Sequence, residues 1–402
     1  FSNTENSIKR EFRFPFRAHA TMETMDCVVE IAADACTIWT GAQFQTTDQY
    51  VAAEILGIQP EQVEIHTLFA GGSFGRRAVP DSDYIAEAVM VAKAIGGRAP
   101  VKLIWSREDD MRGGRYHPMS YHLIEGGSDA DGEITAWRHK VAIQSYMKGT
   151  PFEASFVNGI DPITVQGASE LPYAIPNVHV ELQPAENGVP TLWWRSTGHA
   201  HNAFVTEAFL DELAQVVGKD PYTMRRDLLA EHPRHLAVLD LATSKAGWGD
   251  EPSREGSGRG IAIHEMSGSI VAEVVDVTVT GDSFTVDKIV CAIDCGIAIN
   301  PDVVRAQMEG GIGFALSAAL REEITLEEGA VQQTNFDTYQ SLRIDEMPEV
   351  EVHIVASQRP PTGVGELGVP PLAPALVNAL FVATGKRIYE LPIGDQLNNL
   401  SG

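Results

Sequence analysis

The sequence predicts an α+β protein in which mixed sheets pack against helices. Strand-like runs rich in β-branched and aromatic residues alternate along the chain with a few clearly amphipathic segments. Internal repeats and low-complexity tracts are absent from the sequence. With 402 residues, of which 44% are hydrophobic, the chain is long enough to bury the cores of two or three domains.

The elements of the first half follow from local patterns. The helix that follows Asp81-Ser82 is the best defined, because Asp81-Ser82 can cap its start, its apolar residues share one face and Gly96-Gly97 can end it. A shorter helix is expected over 48–56, with Asp48 able to cap it. The strands expected here are 28–39, as a pair, 62–69 and 101–105.

Further along, the alternation between 119 and 146, broken by Asp131-Gly132, predicts a β-hairpin. A long helix is expected over 202–217, and Asp220-Pro221 opens another. The stretch 249–259 is rich in glycine, serine and charge, so we expect it to link two domains. We expect one domain over 10–248 and a second over 260–397. The second domain is expected to contain strands at 260–280 and 284–293, a helix at 301–320 and an edge strand at 350–356.

The charge of the chain excludes some partners. The formal net charge is -25, with 55 acidic and 30 basic residues, so nucleic acid and anionic membrane surfaces would be repelled. The longest apolar runs are too short and too interrupted by proline to cross a bilayer, and we expect no membrane insertion. Cysteines occur at Cys27, Cys36, Cys291 and Cys295 without the C-x-x-C spacing of zinc or iron-sulfur sites. We expect buried thiols, with a Cys291–Cys295 disulfide as the less favoured alternative.

The segment 362–371 is the strongest candidate for a catalytic loop. It places one carboxylate, Glu366, among three glycines and ahead of Pro370-Pro371, which suit the first turn of a helix. A helix N-terminus favours the ionised carboxylate and apolar surroundings raise its pKa, a balance that tunes a general base toward neutral pH. An exposed loop glutamate is the plainer alternative.

A second candidate is the Gly-Gly-Ser-Phe-Gly-Arg-Arg run at 71–77, which follows a predicted strand. Its glycines expose backbone N–H groups that can hold a phosphate or an oxyanion. The run also fits the G-x-S-x-G elbow of a hydrolase, with Ser73 as nucleophile, although the helix of such an elbow would have to begin at the serine. It lacks the G-x-G-x-x-G spacing of a dinucleotide fold, and a plain surface turn is the simplest alternative.

The third candidate is the segment Trp193-Trp194-Arg195, which can form a wall for a planar substrate or a cofactor phosphate. His199 and His201 follow it as an H-x-H pair. Because no carboxylate stands at helical spacing beside them, a structural role is favoured over zinc binding.

These segments together resemble the molybdenum hydroxylases, the xanthine oxidase and aldehyde oxidase family, and most of all the large subunit of the isoquinoline 1-oxidoreductase branch. The family's Gly-Glu, paired prolines and Ala-Pro-Ala-Leu-x-Asn-Ala match 365–379, and its Trp-Arg-Ser-x-Gly segment matches 194–198. Its Gly-Gly-Gly-Phe-Gly-Arg-Arg turn matches 71–77, where this chain has Ser73 in place of the usual glycine. A Gln-x-Glu-Gly helix at 307–310 is also similar, and we expect it to be scaffold.

The resemblance implies two molybdopterin-binding domains of the xanthine oxidase type. It implies a molybdopterin cofactor, in its cytosine dinucleotide form, whose dithiolene holds the molybdenum, so that no protein side chain ligates the metal. Glu366 would be the general base, and the Gln43 amide would hydrogen-bond an oxygen ligand of the metal. The residues implied to bind the cofactor are Gln43, Gly72, Ser73, Phe74, Gly75, Arg76, Arg195 and Gly365.

The resemblance also implies partners. The Glu-Met-Gly-Gln-Gly cofactor loop of the family is not found, and the chain starts at Phe1 rather than methionine. We therefore expect the C-terminal half of a large subunit, with the N-terminal half on a separate polypeptide and 2Fe-2S clusters on a small subunit. These clusters would take the electrons when an aldehyde or heteroaromatic carbon is oxidised with water as oxygen source. A periplasmic location is expected, with the cytoplasm as alternative. The rival functions are a serine hydrolase using Ser73 and a cofactor-free scaffold homologue.

Overall fold

The protein is described by a computed structural model that covers residues 4–250 and 254–397. Its strands, numbered β1 to β14 in chain order, are Asn6–Phe14, Asp26–Ile31, Cys36–Thr40, Val63–Thr67, Val101–Ile104, Ser120–Ser128, Ile134–Gln144, Asn177–Ala185, Ser257–Met266, Ser269–Thr280, Ser283–Asp294, Leu326–Glu327, Ala330–Val331 and Glu349–Ile354. Its helices, α1 to α9, are Gln45–Leu56, Asp83–Ala94, Arg107–Arg112, Pro162–Val165, Gly198–Val216, Pro221–Leu228, Pro233–Ala246, Pro301–Leu320 and Leu372–Thr384.

Three four-stranded sheets form the framework, and each combines antiparallel pairs with one parallel pair. Their strand orders are β4-β3-β2-β5, β1-β6-β7-β8 and β14-β11-β10-β9. The parallel pairs are β3 with β4, β7 with β8, and β11 with β14. These mixed sheets with packed helices confirm the predicted fold class. They also confirm the 119–146 hairpin, formed by β6 and β7, and the edge position of β14.

The sheet β4-β3-β2-β5 packs against α1 and α2 through its own small apolar core. The predicted apolar face of α2 is buried, but the predicted cap at its start is wrong. Ser82 makes no capping hydrogen bond and instead donates to Asp48 Oδ1 at 2.7 Å. Asp48 does not cap α1 either, because α1 begins at Gln45 and holds Asp48 within its first turn. Burial raises the pKa of Asp48 to about 6.

The long helix α5 joins the other two sheets and carries the segment that enters the site. It contacts β1 and β6 on one side and β9 and α9 on the other. Its buried Glu207 accepts hydrogen bonds from Arg225 Nε at 2.9 Å, from Ile263 N–H at 2.9 Å and from the Tyr173 hydroxyl at 2.5 Å. Both carboxylate oxygens accept hydrogen bonds, so Glu207 ties α5 to β9 and α6.

The main apolar core contains buried residues from both predicted domains, from Phe12 to Leu397. The boundary at 249–259 stays a prediction, and residues 251–253 of it lie outside the described residues. The sequence patterns did not predict β1, β8 or α7, whereas α8 has the predicted ends. All four cysteines are buried free thiols, which confirms the favoured expectation. Within the described ranges, none of the helices is both long and apolar enough to span a bilayer.

One core residue, Glu273 on the central strand β10, is fully buried, and neither of its carboxylate oxygens has a hydrogen-bond partner in the described structure. Burial raises its pKa well above the usual value, so the fold keeps it protonated. A carboxyl with a raised pKa in the fold contributes stability at pH values below its pKa in the unfolded chain, about 4.3. That contribution is lost as the pH rises toward the pKa in the fold.

We therefore expect Glu273→Gln to stabilise the protein at pH 7, by up to about 3 kcal/mol, because the amide cannot ionise on unfolding. The gain should shrink toward pH 4.5. Urea unfolding at several pH values measures it, and Glu349→Gln on the exposed start of β14 is the control. An equal gain at pH 4.5 and pH 7 would contradict the assignment.

Candidate functional site

A cavity of about 560 Å³ lies where the loops around Gly75, Arg195 and Glu366 meet the side of α8. It brings together seven of the nine predicted site residues, and only Gly72 and Arg76 do not line it. The lining residues are Gln43, Ser73, Phe74, Gly75, Ala78, Trp193, Trp194, Arg195, Thr197, Ala306, Gln307, Gly310, Gly365 and Glu366. Three sequence motifs that are far apart in the chain therefore form one site.

Glu366 is the one carboxylate among the described residues that line the cavity. Its side chain is half-buried, and Oε1 accepts a hydrogen bond from the Ser196 N–H at 2.9 Å. The prediction that a helix follows this loop is confirmed, since α9 begins at Leu372. The N–H group that the carboxylate contacts, however, belongs to the segment ahead of α5. The loop thus positions Glu366 against a different helix from the one expected.

Arg195 holds the loop that carries this carboxylate. Its Nε donates to the Gly365 carbonyl at 2.7 Å, and Nη2 donates to the carbonyl and side-chain oxygens of Gln307 at 3.2 and 3.0 Å. Burial lowers the pKa of Arg195, although the nearby Glu366 carboxylate raises it. Gln307 was expected to be scaffold, and the structure adds it to the site. The Gln-x-Glu-Gly pattern was the available signal, but an isolated glutamine on a helix carries little weight.

The backbone around the cavity is strained at three non-glycine residues. Phe74, Ser196 and Thr197 have φ angles of 56°, 79° and 50°, in the left-handed region. Each such conformation costs about 1–3 kcal/mol and is held only where its surroundings require it. At Ser196 the conformation accompanies the N–H bond to Glu366. Strain of this kind concentrates at ligand and catalytic sites, which supports a function for this cavity.

Glycine is required at position 75 by both the backbone angle and the packing there. Its φ is +110°, and a Cβ there would lie 2.4 Å from the Trp193 carbonyl oxygen. We expect Gly75→Ala to lower the free energy of unfolding by about 2–4 kcal/mol, because strain and overpacking add. Gly57→Ala is the matched control, since Gly57 has φ +75° and open space around it. Chemical unfolding compares the two, and equal losses would contradict the clash at Trp193.

The Ser73 hydroxyl is committed to its neighbours rather than to a base. It donates to Gln43 Oε1 and accepts the Arg77 N–H at 3.1 Å. The first helix after it, α2, begins only at Asp83. An amide oxygen cannot activate a nucleophile, and a hydrolase elbow needs a helix at the serine. The serine hydrolase alternative is therefore not supported by the geometry.

Arg76 and Gly72 require corrections. The Arg76 side chain is buried away from the cavity, with Nη2 at 2.9 Å from Asp83 Oδ2 and its guanidinium over the Trp105 ring. Its expected cofactor contact is wrong for the side chain, because an internal ion pair holds the guanidinium. Gly72 has φ +103°, and a Cβ there would lie 3.2 Å from the Phe74 ring. It shapes the turn without lining the site.

The neighbouring Arg77 was not among the predicted residues, yet it fastens two loops of the site together. Its buried guanidinium donates to the carbonyls of Gly72 at 3.2 Å and Gly41 at 3.3 Å. The Gln43 N–H also donates to the Arg77 carbonyl at 3.1 Å. Two adjacent arginines look alike in sequence, and only the packing distinguishes them.

Aromatic rings form the walls of the cavity. The Phe314 ring stacks on Trp194 at 4.5 Å and on Phe74 at 4.3 Å, and Trp193 packs against Phe44 at 5.6 Å between ring centroids. The tryptophans therefore line the site as predicted.

The histidines that follow are structural. His199 Nδ1 lies 2.8 Å from His264 Nε2, and His201 Nε2 lies 3.1 Å from the Thr164 carbonyl. In the part of the chain that the structure describes, no group of three His, Cys, Asp or Glu residues is arranged to hold a metal ion.

Comparison with known proteins gives the family. Two models of the molybdopterin cofactor-binding domain match, one over residues 1–229 and the other over residues 236–348. The chain is 32% identical to isoquinoline 1-oxidoreductase subunit beta of Brevundimonas diminuta, over 93% of this chain and 48% of that protein. It is 28% identical to the membrane-bound aldehyde dehydrogenase (pyrroloquinoline-quinone) of Gluconacetobacter polyoxogenes, over 98% of this chain and 54% of that protein.

The crystal structure of quinoline 2-oxidoreductase from Pseudomonas putida 86 superimposes with a TM-score of 0.85 at 14% identity, covering 99% of this chain and 76% of that one. That likeness concerns the fold. The chain spans about half the length of the two curated relatives. Together with the two domain matches, these results show that the chain belongs to the molybdopterin-binding domains of the xanthine oxidase family.

Proposed function

We propose that this chain is the cofactor-binding part of a molybdenum hydroxylase that oxidises a carbon of an aldehyde or an N-heterocyclic aromatic compound, with water as the oxygen source. The proposal is carried by the single carboxylate, Glu366, in a cavity whose other polar side chains are the Arg195 guanidinium and neutral amides, hydroxyls and indoles. A lone base in such a cavity is typical of a site that removes a proton beside a polar cofactor.

The residues present fit a molybdopterin cofactor. Arg195 Nη1 and Gln43 Nε2 have no hydrogen-bond partner among the described residues, although both side chains line the cavity. Guanidinium and amide donors suit the phosphate and pterin acceptors of such a cofactor.

Glu366 is suited to the role of general base. The Ser196 N–H holds Oε1, whereas Oε2 makes no hydrogen bond with the described residues and is left to accept a proton. Arg195 fixes the loop through the Gly365 carbonyl, so the carboxylate is oriented before substrate arrives. When bound, the cofactor would accept the two electrons of the oxidation, and water would supply the oxygen that is transferred to carbon. The half-buried Trp193 ring, which lines the cavity, suits a planar substrate.

The assembly that we propose has further parts. A separate polypeptide would carry the remaining half of the large subunit, and a small subunit with 2Fe-2S clusters would take the electrons. A relative that this chain matches over about half its length, from Brevundimonas diminuta, is named as a subunit, which supports an assembly with further subunits. We also propose the cytosine dinucleotide form of the cofactor and a periplasmic location, which cofactor mass spectrometry and cell fractionation test.

The decisive experiment is purification of the native complex through a tag on this chain, followed by metal analysis and assays with isoquinoline, quinoline and benzaldehyde in ¹⁸O-labelled water. We expect one molybdenum per chain, reduction of an artificial electron acceptor, and ¹⁸O in the product of at least one substrate class. A complex without molybdenum would overturn the proposal and favour the cofactor-free scaffold. Molybdenum with unlabelled product would exclude water as the oxygen source.

A further inference from the structure

The Gln43 side chain lines the cavity at the end of a chain of hydrogen bonds that begins at Arg77. The Ser73 hydroxyl accepts the Arg77 N–H at 3.1 Å and donates its own hydrogen to Gln43 Oε1. The Gln43 N–H in turn donates to the Arg77 carbonyl at 3.1 Å. Main chain and side chain of Gln43 are thus both tied to the 73–77 turn, and the link to the side chain runs through one serine.

This link determines which end of the amide is available to a ligand. A glutamine side chain carries an acceptor oxygen and a donor NH₂ group that can exchange places by rotation about the last side-chain bond. The hydroxyl hydrogen of Ser73 occupies the oxygen, and Nε2 makes no hydrogen bond with the residues that the structure describes. Because Gln43 borders the cavity, its NH₂ group is the free donor at that wall.

From this geometry we infer that Ser73 is a positioning residue, which acts through Gln43 to present an amide NH₂ donor to an acceptor atom of the bound cofactor. The inference rests on the proposed function. Residue 73 is serine in this chain, whereas the family turn that 71–77 resembles has glycine there. A glycine could not supply the hydroxyl.

Competing orientations explain why the hydroxyl matters. Without the Ser73 hydroxyl, the Gln43 amide can rotate and be solvated in either orientation. The fraction of molecules in which the NH₂ group faces the cavity therefore falls. A lost orienting hydrogen bond of about 1 kcal/mol corresponds to an effect of roughly fivefold. Removal of the Ser73 hydroxyl should change the rate of cofactor loss and the electron paramagnetic resonance spectrum of the metal. Both changes should require Gln43.

The test is a double-mutant cycle in the native complex, with Ser73→Ala, Gln43→Ala and the double variant, and with Ser73→Thr as the conservative replacement. The readouts are molybdenum retained after dialysis against dilute urea and the electron paramagnetic resonance spectrum of the reduced metal. We expect Ser73→Ala to lose molybdenum about fivefold faster and to shift the spectrum, Ser73→Thr to restore both, and Ser73→Ala to add nothing in the Gln43→Ala background.

Ser82→Ala controls for the loss of a buried serine hydroxyl, because Ser82 bonds Asp48 outside the cavity. Two results would overturn this inference alone, provided that the wild-type complex holds molybdenum. One is molybdenum retention and a spectrum in Ser73→Ala equal to those of the wild type. The other is additive effects of the two substitutions in the double variant. A wild-type complex without molybdenum would overturn the proposed function. A crystal structure of the Ser73→Ala variant gives a further check, since an unchanged and well-ordered Gln43 amide would also overturn the positioning role.

Discussion

Replacement of Glu366 by glutamine is expected to reduce turnover by about 100- to 10,000-fold while the cofactor stays bound. Glutamine has nearly the same shape, and its amide oxygen can still accept the Ser196 N–H that now reaches Oε1 at 2.9 Å. It cannot take up a proton, so the loss should appear in kcat, with little change in molybdenum content. Steady-state kinetics and metal analysis on the same preparation measure both quantities.

Two further variants make the result specific. Glu366→Asp keeps a carboxylate but withdraws it by one methylene, so we expect activity between those of the wild type and the glutamine variant. Glu327→Gln changes an exposed glutamate on β12 and should leave kcat unaltered. If Glu366→Gln retained full activity with normal molybdenum, another group would have to be the base, and the central argument for the site would fail.

Two loops of this cavity, 71–77 and 362–371, could be singled out from the sequence because their composition is unusual, whereas the roles of Gln43 and Arg195 were implied only by the resemblance to the molybdenum hydroxylases. Glycines beside a lone glutamate, or beside an arginine pair, conflict with ordinary helix or strand patterns and therefore stand out. Regular strand and helix patterns located the 119–146 hairpin and the ends of α8, where Asn300 Oδ1 accepts from the N–H groups of Asp302 and Val303.

What the sequence could not reveal depends on contacts between distant segments. The choice between Arg76 and Arg77 is decided by which guanidinium reaches the carbonyls of Gly41 and Gly72, and adjacent residues differ in this only after folding. The carboxylate of Glu366 meets the segment ahead of α5, 170 residues away in sequence. Helix α7 was missed because its pattern is interrupted by polar residues that pair outside it, such as Asp240 with Arg226 at 2.9 Å.

The second large effect that we expect is a steep loss of stability in mild acid. Twelve histidines occur in the chain, and eight of those that the structure describes have pKa values lowered chiefly by burial. They are His19, His117, His122, His139, His199, His201, His235 and His264. The pKa falls to about 3 for His139 and to about 4 for His201.

The hydrogen bonds of these rings show why the fold keeps them neutral. His122 Nδ1 lies 2.9 Å from His139 Nε2, and its Nε2 lies 2.8 Å from the Ser120 hydroxyl. The Tyr146 hydroxyl lies 2.9 Å from His117 Nε2. A proton added to such a chain would place a charge in the core without a counter-ion, which costs several kcal/mol.

The sign of the pH dependence follows from the direction of the shifts. A histidine in the unfolded chain takes up a proton near pH 6.5, whereas these buried rings stay neutral until the pH is much lower. Between the folded-state and unfolded-state pKa values, the unfolded state therefore binds more protons than the folded state. Their contribution is constant above about pH 6.5 and falls below it, by up to about 1.4 kcal/mol per pH unit for each ring. Carboxyl groups with pKa values raised by burial act in the opposite direction and offset part of the loss. They are Glu273, Glu322 with a pKa of about 7, Asp48 with a pKa of about 6, Asp110 and Glu323.

We therefore expect the free energy of unfolding to be nearly constant from pH 7 to pH 8 and to fall by several kcal/mol between pH 6.5 and pH 5, because the histidines outnumber the opposing carboxyls. Urea unfolding followed by tryptophan fluorescence measures it. His201→Gln, whose amide can still donate to the Thr164 carbonyl, should reduce the slope by about one proton. His179→Gln, at an imidazole that solvent reaches on β8, should not. A stability curve that stays flat down to pH 5 would mean that the buried imidazoles ionise within the fold, and the desolvated histidine core inferred from the structure would be wrong.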